Sequence, residues 1–240
     1  MTSINRSALI TGASSGIGRA TAVAFAEAGV DLALVSRSQE KLAPLVQALQ
    51  DKGVRAIGYG IDLADVGSVR GNMEAIVADF GAIDIVVNNA GMGYTGNLQD
   101  TPLSDWQQVI DLNVTSVFQC IQAVLPGMRH RHQGTIINIA SIAAHQAFPG
   151  WGAYSVSKAG LLALSKTLAI EESASGIRVT TLCPGSVNTP LWDSVTVRAD
   201  FDRSQMLTPE IVAQSILHIA LLPPQAVVPE LTLMPSAGAL

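Results

Sequence analysis

Tyr154 and Lys158 stand four positions apart, the spacing that stacks two side chains on one face of a helix. The chain holds only three tyrosines and four lysines, so chance would supply such a pair about 0.05 times. A phenol titrates at about 10 and is by itself a poor proton donor or acceptor at neutral pH. An adjacent ammonium favours the phenolate and brings the group closer to the working range. Ser141 closes the apolar run 135–140, thirteen residues before the tyrosine, and its hydroxyl can hold a carbonyl oxygen beside the phenol. Surface Tyr and Lys at this spacing are commonly no more than solvated neighbours. The order strand, serine, loop, Tyr-x-x-x-Lys argues instead for proton transfer to and from the oxygen of a carbonyl or an alcohol.

A second constellation suits a dinucleotide. Thr11-Gly12-Ala13-Ser14-Ser15-Gly16-Ile17-Gly18 follows an apolar run and opens an amphipathic stretch. Three glycines let the backbone turn tightly and approach a pyrophosphate, whose charge then rests on a helix N-terminus. The spacing Gly-x-x-x-Gly-x-Gly is neither the longer Rossmann fingerprint nor a P-loop, since no lysine follows the last glycine. Plain strand-to-helix punctuation is the competing explanation. Asn88-Asn89-Ala90-Gly91 follows the apolar run 83–87, at the strand end that a doubly wound sheet brings to the cofactor crevice; alone, it could be only a turn. The segment Leu34-Val35-Ser36-Arg37 lacks the acid that accepts from the ribose 2′-hydroxyl in NAD users. Ser36 and Arg37 can hold a 2′-phosphate by charge-assisted bonds, which makes NADP(H) the expected cofactor. Otherwise Arg37 merely starts a solvated helix.

These residues need a frame, and the hydropathy pattern supplies one. Short β-branched runs at 8–11, 31–36, 55–61, 83–88, 134–140, 177–182 and 231–234 alternate with helical patterns at 16–28, 39–51, 66–80, 105–128, 154–173 and 209–221. Strands apolar on both faces, alternating with helices, predict a seven-stranded parallel sheet covered on both sides, an α/β Rossmann-type doubly wound fold. The elements consume residues 1–240, so one dinucleotide-binding and catalytic domain is expected, without linker or repeat. The connection 188–207, carrying Trp192 and Phe201, is expected to be a lid.

Composition narrows the partners. A net charge of −5 with no basic stripe argues against nucleic acid, which demands clustered Lys and Arg. Arg129-His130-Arg131-His132 is the densest basic spot and suits a solvated helix end. Cys120 and Cys183, with no CxxC pairing, suggest neither zinc nor a disulfide framework, and no metal is expected. A reducing, cytoplasmic setting follows, since no signal pattern precedes the first strand. The segment 133–157 is rich in small and apolar residues but carries Asn138, Ser141, His145, Gln146 and Pro149, which argues against a membrane span.

Taken together, Thr11–Gly18, Asp62-Leu63, Asn88–Gly91, Asn113, Ser141, Tyr154-x-x-x-Lys158 and Pro184-Gly185 resemble the short-chain dehydrogenase/reductase family along essentially the whole chain. The resemblance implies hydride transfer between NADP(H) and a ketone or secondary alcohol, from the pro-S face of the dihydronicotinamide. It gives Tyr154 the acid–base role, Lys158 the nicotinamide ribose and the tyrosine pKa, Ser141 the substrate carbonyl, and Asn113 a relay water. Cofactor contacts would come from Gly12, Ser14, Ser15, Gly16, Ile17 and Gly18, from Ser36 and Arg37, and from Asp62 and Leu63 at the adenine. Asn88, Ala90 and Gly91 would lie along the adenosine ribose, with Pro184, Gly185, Val187 and Thr189 at the carboxamide. The pocket walls would be Met92, His145, Phe148, Trp151 and Trp192, although His145 could as well make ordinary loop hydrogen bonds.

The chain departs from relatives in three places. Ser15 stands where many NADP users carry a basic residue, the tail 230–240 lacks the Asp-Gly-Gly ending of acyl-carrier reductases, and the lid is short. A 3-oxoacyl thioester reductase is the alternative activity, with Arg129 and Arg131 the one obvious carrier patch. A non-catalytic NADPH sensor is the alternative of another class, disfavoured because the Tyr and Lys are both kept. Relatives pair the helices read at 105–128 and 154–173 into homotetramers or homodimers, and Val117, Ile121, Leu161 and Leu164 would furnish the contact.

Overall fold

A computed structural model describes residues 6–199 and 202–238. Strands β1 (Ser7–Thr11), β2 (Asp31–Ser36), β3 (Ala56–Gly60), β4 (Ile85–Asn88), β5 (Gly134–Ile139), β6 (Ile177–Pro184) and β7 (Glu230–Leu233) form one sheet. Its order is β3-β2-β1-β4-β5-β6-β7, and every pairing is parallel. Strand order reverses between β1 and β4, so a crevice opens at their C-terminal ends.

The period-2 alternation of strands divides the core in two. Ala8, Ile10, Leu32, Leu34, Ile85 and Val87 face one layer, while Leu9, Ala33, Val35 and Val86 face the other. The first layer is closed by α1 (Gly16–Glu27), α2 (Gln39–Gln50) and α7 (Pro209–Leu221). The second is closed by α3 (Val69–Phe80), α5 (Ser116–Arg131) and α6 (Gly152–Glu172), with α4 (Leu103–Ile110) leading into α5. Helix starts follow local chemistry. Ser38 caps α2 by accepting from Lys41 N, and Thr208 caps α7 by accepting from Ile211 N, with Pro209 in the first turn.

Boundaries shift by one to three residues from the sequence pattern. The third helix begins at Val69 rather than 66 because Ser68 N closes a turn on Asp65 O at 3.0 Å. The pattern at 105–128 starts earlier, ends later and contains a π-helical turn, Asp111–Thr115, between α4 and α5. Among the described residues, 103–131 is the one helix long and apolar enough to cross a membrane by length and composition. Its Val117, Cys120, Ile121 and Val124 are buried in the second layer, as in a core helix.

That layer also corrects an expectation. Val117, Ile121 and Leu161 are buried in the chain's own core, which leaves them little to offer a partner, while Leu164 packs against that core but stays half-buried. The apolar side chains that do reach solvent on these helices are Phe118, 44% exposed, Val156 and Ile170, 78% exposed.

Candidate active site

The glycine turn is braced by residues from the neighbouring strand. Gly12 and Gly16 have φ of +66° and +50°, the left-handed region that favours glycine. A Cβ on Gly18 would collide with the Gly12 carbonyl oxygen and the Asn89 amide. Asn89 Nδ2 donates to Thr11 O at 3.0 Å and to Gly12 O at 3.3 Å. Thr11 Oγ1 accepts from Asn89 N and Ala90 N, both at 3.0 Å. Ser15, exposed at the N-cap of α1, makes no side-chain cap bond. The first amides of α1 therefore have no side-chain cap and suit an anion. Ser14 and Ile17 complete the turn. This cradle fits a pyrophosphate.

The two asparagines behave oppositely. Asn88 is 1% exposed, and its Nδ2 donates to Asn138 Oδ1 at 2.8 Å. Asn138 Nδ2 donates on to Ser165 Oγ at 2.8 Å, and Ser165 Oγ to Leu161 O at 2.7 Å. The Asn88 side chain thus lies beneath the crevice, tying β4 and β5 to α6, and is not available to a ribose. Asn89, absent from the expected contacts, is the residue that holds the glycine turn. Strand parity was the available signal, since Asn88 falls on the same buried face as Val86.

At the far end of β2, Ser36 is buried and its hydroxyl donates to Ser38 O at 2.8 Å. Arg37 is exposed. Asp62 is exposed, its Oδ1 accepting from Ala64 N at 3.0 Å, and Leu63 is buried in the core.

Catalytic candidates converge from the π-helical turn, the end of β5 and α6. Lys158, 5% exposed, donates from Nζ to Ile139 O at 2.9 Å. The same Nζ stands 5.7 Å from the Tyr154 ring centroid. Asn113 sits in the π-helical turn. Its Oδ1 accepts from Met92 N at 2.8 Å, and its Nδ2 donates to Met92 O and to Ser157 Oγ, each at 2.9 Å. Ser157 in turn donates to Tyr154 O at 2.7 Å. Both amide protons of Asn113 are spent, so a relay water would have to meet the second Oδ1 lone pair or the main chain. A Cβ on Gly91 would lie 3.0 Å from Asn113 Oδ1 and 3.5 Å from Lys158 Nζ, so the chain passes close over the pair. Ser141 Oγ accepts from Ala143 N at 3.1 Å.

Electrostatics here differ from the expectation. Burial raises the Tyr154 pKa above the ordinary phenol value, and the hydrogen bond with Ser141 opposes it. The expected depression by Lys158 is not seen, because the ammonium lies toward the ring and is bonded to Ile139 O. Burial lowers the Lys158 pKa to about 8, since desolvation disfavours the charged form.

An aromatic wall flanks the tyrosine. Trp151 meets Tyr154 edge to face at 5.4 Å and Trp192 at 5.8 Å, and Trp192 Nε1 donates to Val187 O at 2.8 Å. Met92 is held by Asn113, and Phe148 is half-buried before α6. His145 stands apart, its Nε2 lying 2.7 Å from Glu230 Oε1, the ordinary interaction that was the alternative for it. Beyond β6, Gly185 N donates to Leu233 O at 2.8 Å and Val187 bridges Leu207. The Thr189 methyl would lie 3.1 Å from a Cβ on Gly16, which brings the residues after Pro184 against the glycine turn.

The expected lid folds over the loop after β4. Thr95 N donates to Thr196 O at 2.9 Å, Thr196 Oγ1 to Gly93 O at 2.7 Å, and Arg198 N to Thr95 Oγ1 at 2.7 Å. Phe201 lies outside the described residues.

Comparison with known proteins agrees with this geometry. The family of the short chain dehydrogenases matches residues 6–199. The chain is 36% identical over 206 residues to 3-oxoacyl-[acyl-carrier-protein] reductase FabG of Staphylococcus aureus, covering 85% of this chain and 82% of that one. It is 36% identical over 222 residues to (2S)-[(R)-hydroxy(phenyl)methyl]succinyl-CoA dehydrogenase subunit BbsD of Thauera aromatica, covering 90% and 89%. An alcohol dehydrogenase of the archaeon Thermococcus sibiricus, solved with 5-hydroxy-NADP, superposes with a TM-score of 0.88 at 30% identity over 96% of this chain and 97% of that one. The chain belongs to the short-chain dehydrogenase/reductase family and is an oxidoreductase acting on CH–OH or keto groups.

Proposed function

We propose that the chain transfers hydride between NADP(H) and a free ketone or secondary alcohol. The observation that carries the reading is Tyr154, bonded to Ser141 and walled by Trp151, at the C-terminal edge of β5. A bound nicotinamide supplies or takes the hydride. Ser141 and Tyr154 bind the substrate oxygen, Tyr154 giving its proton in reduction and taking one in oxidation. Burial raises the phenol pKa, so a cation brought close to Tyr154 is what would return it toward the working range. Lys158 donates toward the ribose, and Asn113 fixes Met92 and the first turn of α6. Arg37, exposed beside Ser36, supports NADP over NAD.

The Staphylococcus aureus relative favours a second reading, a 3-oxoacyl thioester. Against it, Arg129 is paired with the buried carboxylate of Glu172, and Arg131 donates to Ile83 O at 2.6 Å, so the basic patch is already engaged. Kinetics with NADPH and NADH over free ketones and 3-oxoacyl thioesters separate the two. Oxidation of NADPH with a free ketone is expected; turnover confined to thioesters would favour the second reading. Failure with every carbonyl would overturn both.

Assembly as a homotetramer or homodimer through α5 and α6 goes with this reading, supported by exposed Phe118 and Ile170. Light scattering should give about four times, or twice, the 25.0 kDa chain mass. Two free, buried cysteines suit a reducing, cytoplasmic setting.

A further inference from the structure

His145, Cys183 and Glu230 are far apart in sequence and meet behind Ser141. His145 follows the short helical turn after β5, Cys183 lies near the end of β6, and Glu230 opens β7. One ligand atom from each, a ring nitrogen, a thiol sulfur and a carboxylate oxygen, falls within 4.8 Å of the other two. The sequence, with no paired Cys or His spacing, gave no sign of this.

We propose that these three side chains bind a thiophilic divalent cation of the zinc class, and that its occupancy is coupled to the active site through Ser141. Zinc takes nitrogen, sulfur and carboxylate oxygen at about 2.0–2.3 Å in a tetrahedron, which sets ligand atoms roughly 3–4 Å apart. The widest separation, up to 4.8 Å, must close by roughly 1–2 Å, and the His145–Glu230 pair at 2.7 Å must open slightly to admit the ion. Three protein ligands leave the fourth position for water.

The ligands differ in freedom in a way that suits capture. Cys183 is 0% exposed and fixed in the sheet, whereas the His145 and Glu230 side chains keep 33% and 28% of their surface and can close from outside. Lys166 Nζ, 3.1 Å from Glu230 Oε2, now neutralises that carboxylate, and its 61% exposed side chain can swing to water. On binding, the thiol loses its proton to solvent as the sulfur–metal bond forms, and no electron changes hands. The coupling is through the main chain. The Ala140 amide, next to Ser141, donates to the carbonyl of Leu182, next to Cys183, at 2.8 Å, and His145 ends the same short segment. An ion that draws sulfur and imidazole together pulls on both ends of the stretch that carries the Ser141 hydroxyl.

Binding is independent of which carbonyl the enzyme reduces, so it is tested first without substrate. The full chain, freed of metal with a chelator, is titrated with cobalt(II). One equivalent per chain is expected, with a thiolate-to-cobalt charge-transfer band that Cys183→Ala abolishes and Cys120→Ser leaves intact. Glu230→Gln and His145→Ala, which sit nearer the surface and guard against a misfolded Cys183 variant, should each weaken binding at least about tenfold. No stoichiometric binding, or a titration that Cys183→Ala leaves unchanged, overturns the site. Zinc should then lower turnover of the wild type reversibly, and chelator should restore it. Full occupancy without loss of turnover overturns the coupling to Ser141.

Discussion

At the β5 end of the crevice, Lys158 is buried and bonded to Ile139 O, and Asn113 has both amide protons engaged. At the β2 end, Arg37 projects into solvent. One end is assembled before any ligand arrives, and the other is left for the ligand to organise. Proton transfer requires reacting atoms held near hydrogen-bond distance. Recognition of a phosphate tolerates a mobile cation, because Coulomb attraction falls off slowly and a guanidinium fork can settle afterwards.

Mutation should expose the contrast most sharply at Tyr154. Tyr154→Phe is expected to lower kcat at least about 100-fold, the usual size of a lost acid–base group, with NADPH affinity in fluorescence titration unchanged. A loss below tenfold would dissolve the distinction between the two ends.

Arg37→Ala should act on selectivity alone. A charge-assisted bond contributes about 1.5–3 kcal/mol, so kcat/KM for NADPH relative to NADH should fall roughly 10- to 100-fold, while kcat at saturation holds. Ser36→Asp should go further, adding repulsion of the phosphate to a new acceptor for the ribose hydroxyl. A wild type that prefers NADH would sink the NADP assignment.

The pH dependence separates the ends more gently. With its pKa lowered to about 8 by burial, Lys158 in the free enzyme loses its charge as pH rises through that value. The kcat/KM for cofactor should decline above about 8 in the wild type and be flat there in Lys158→Met. The stability effect has the opposite sense. Between about 8 and the ordinary lysine value the unfolded chain binds more protons than the folded one, so this group's contribution to stability grows with pH. Urea midpoints of wild type against Lys158→Met across that window check the sign.

The smallest effect should come from outside the crevice. Thr208→Ala removes the cap of α7 and should cost about 1 kcal/mol, visible in a denaturant midpoint with kinetics intact. If instead it alters KM, the lid that ends at Leu207 is mechanically joined to that helix.

Much of the architecture could be inferred in advance because its causes are local. β-branched runs apolar on both faces can only be buried parallel strands here, and a Tyr and Lys four apart share a helix face wherever that helix lies. Contacts fixed by register were harder. His145 meets Glu230 only because β7 pairs beside β6, which no spacing encodes. The π-helical turn around Asn113 has no signature of its own. Asn88 and Asn89 are identical in type, and only the alternation within β4 assigns one to the core and the other to the glycine turn. The depression of Tyr154 by Lys158 was inferred from proximity alone, whereas its sign depends on how much water both groups have lost.

The Asn88–Asn138–Ser165 chain bears on conformations the enzyme never uses. Asn88 and Asn138 are register partners across β4 and β5. A one-residue slip between these strands would turn the two amides away from each other in a buried layer. Each stranded amide would cost on the order of 2–7 kcal/mol, comparable to the whole stability of a typical domain. The polar chain therefore works as a check on strand alignment during folding, rejecting the shifted sheets in which Tyr154 and the glycine turn would never face a common crevice.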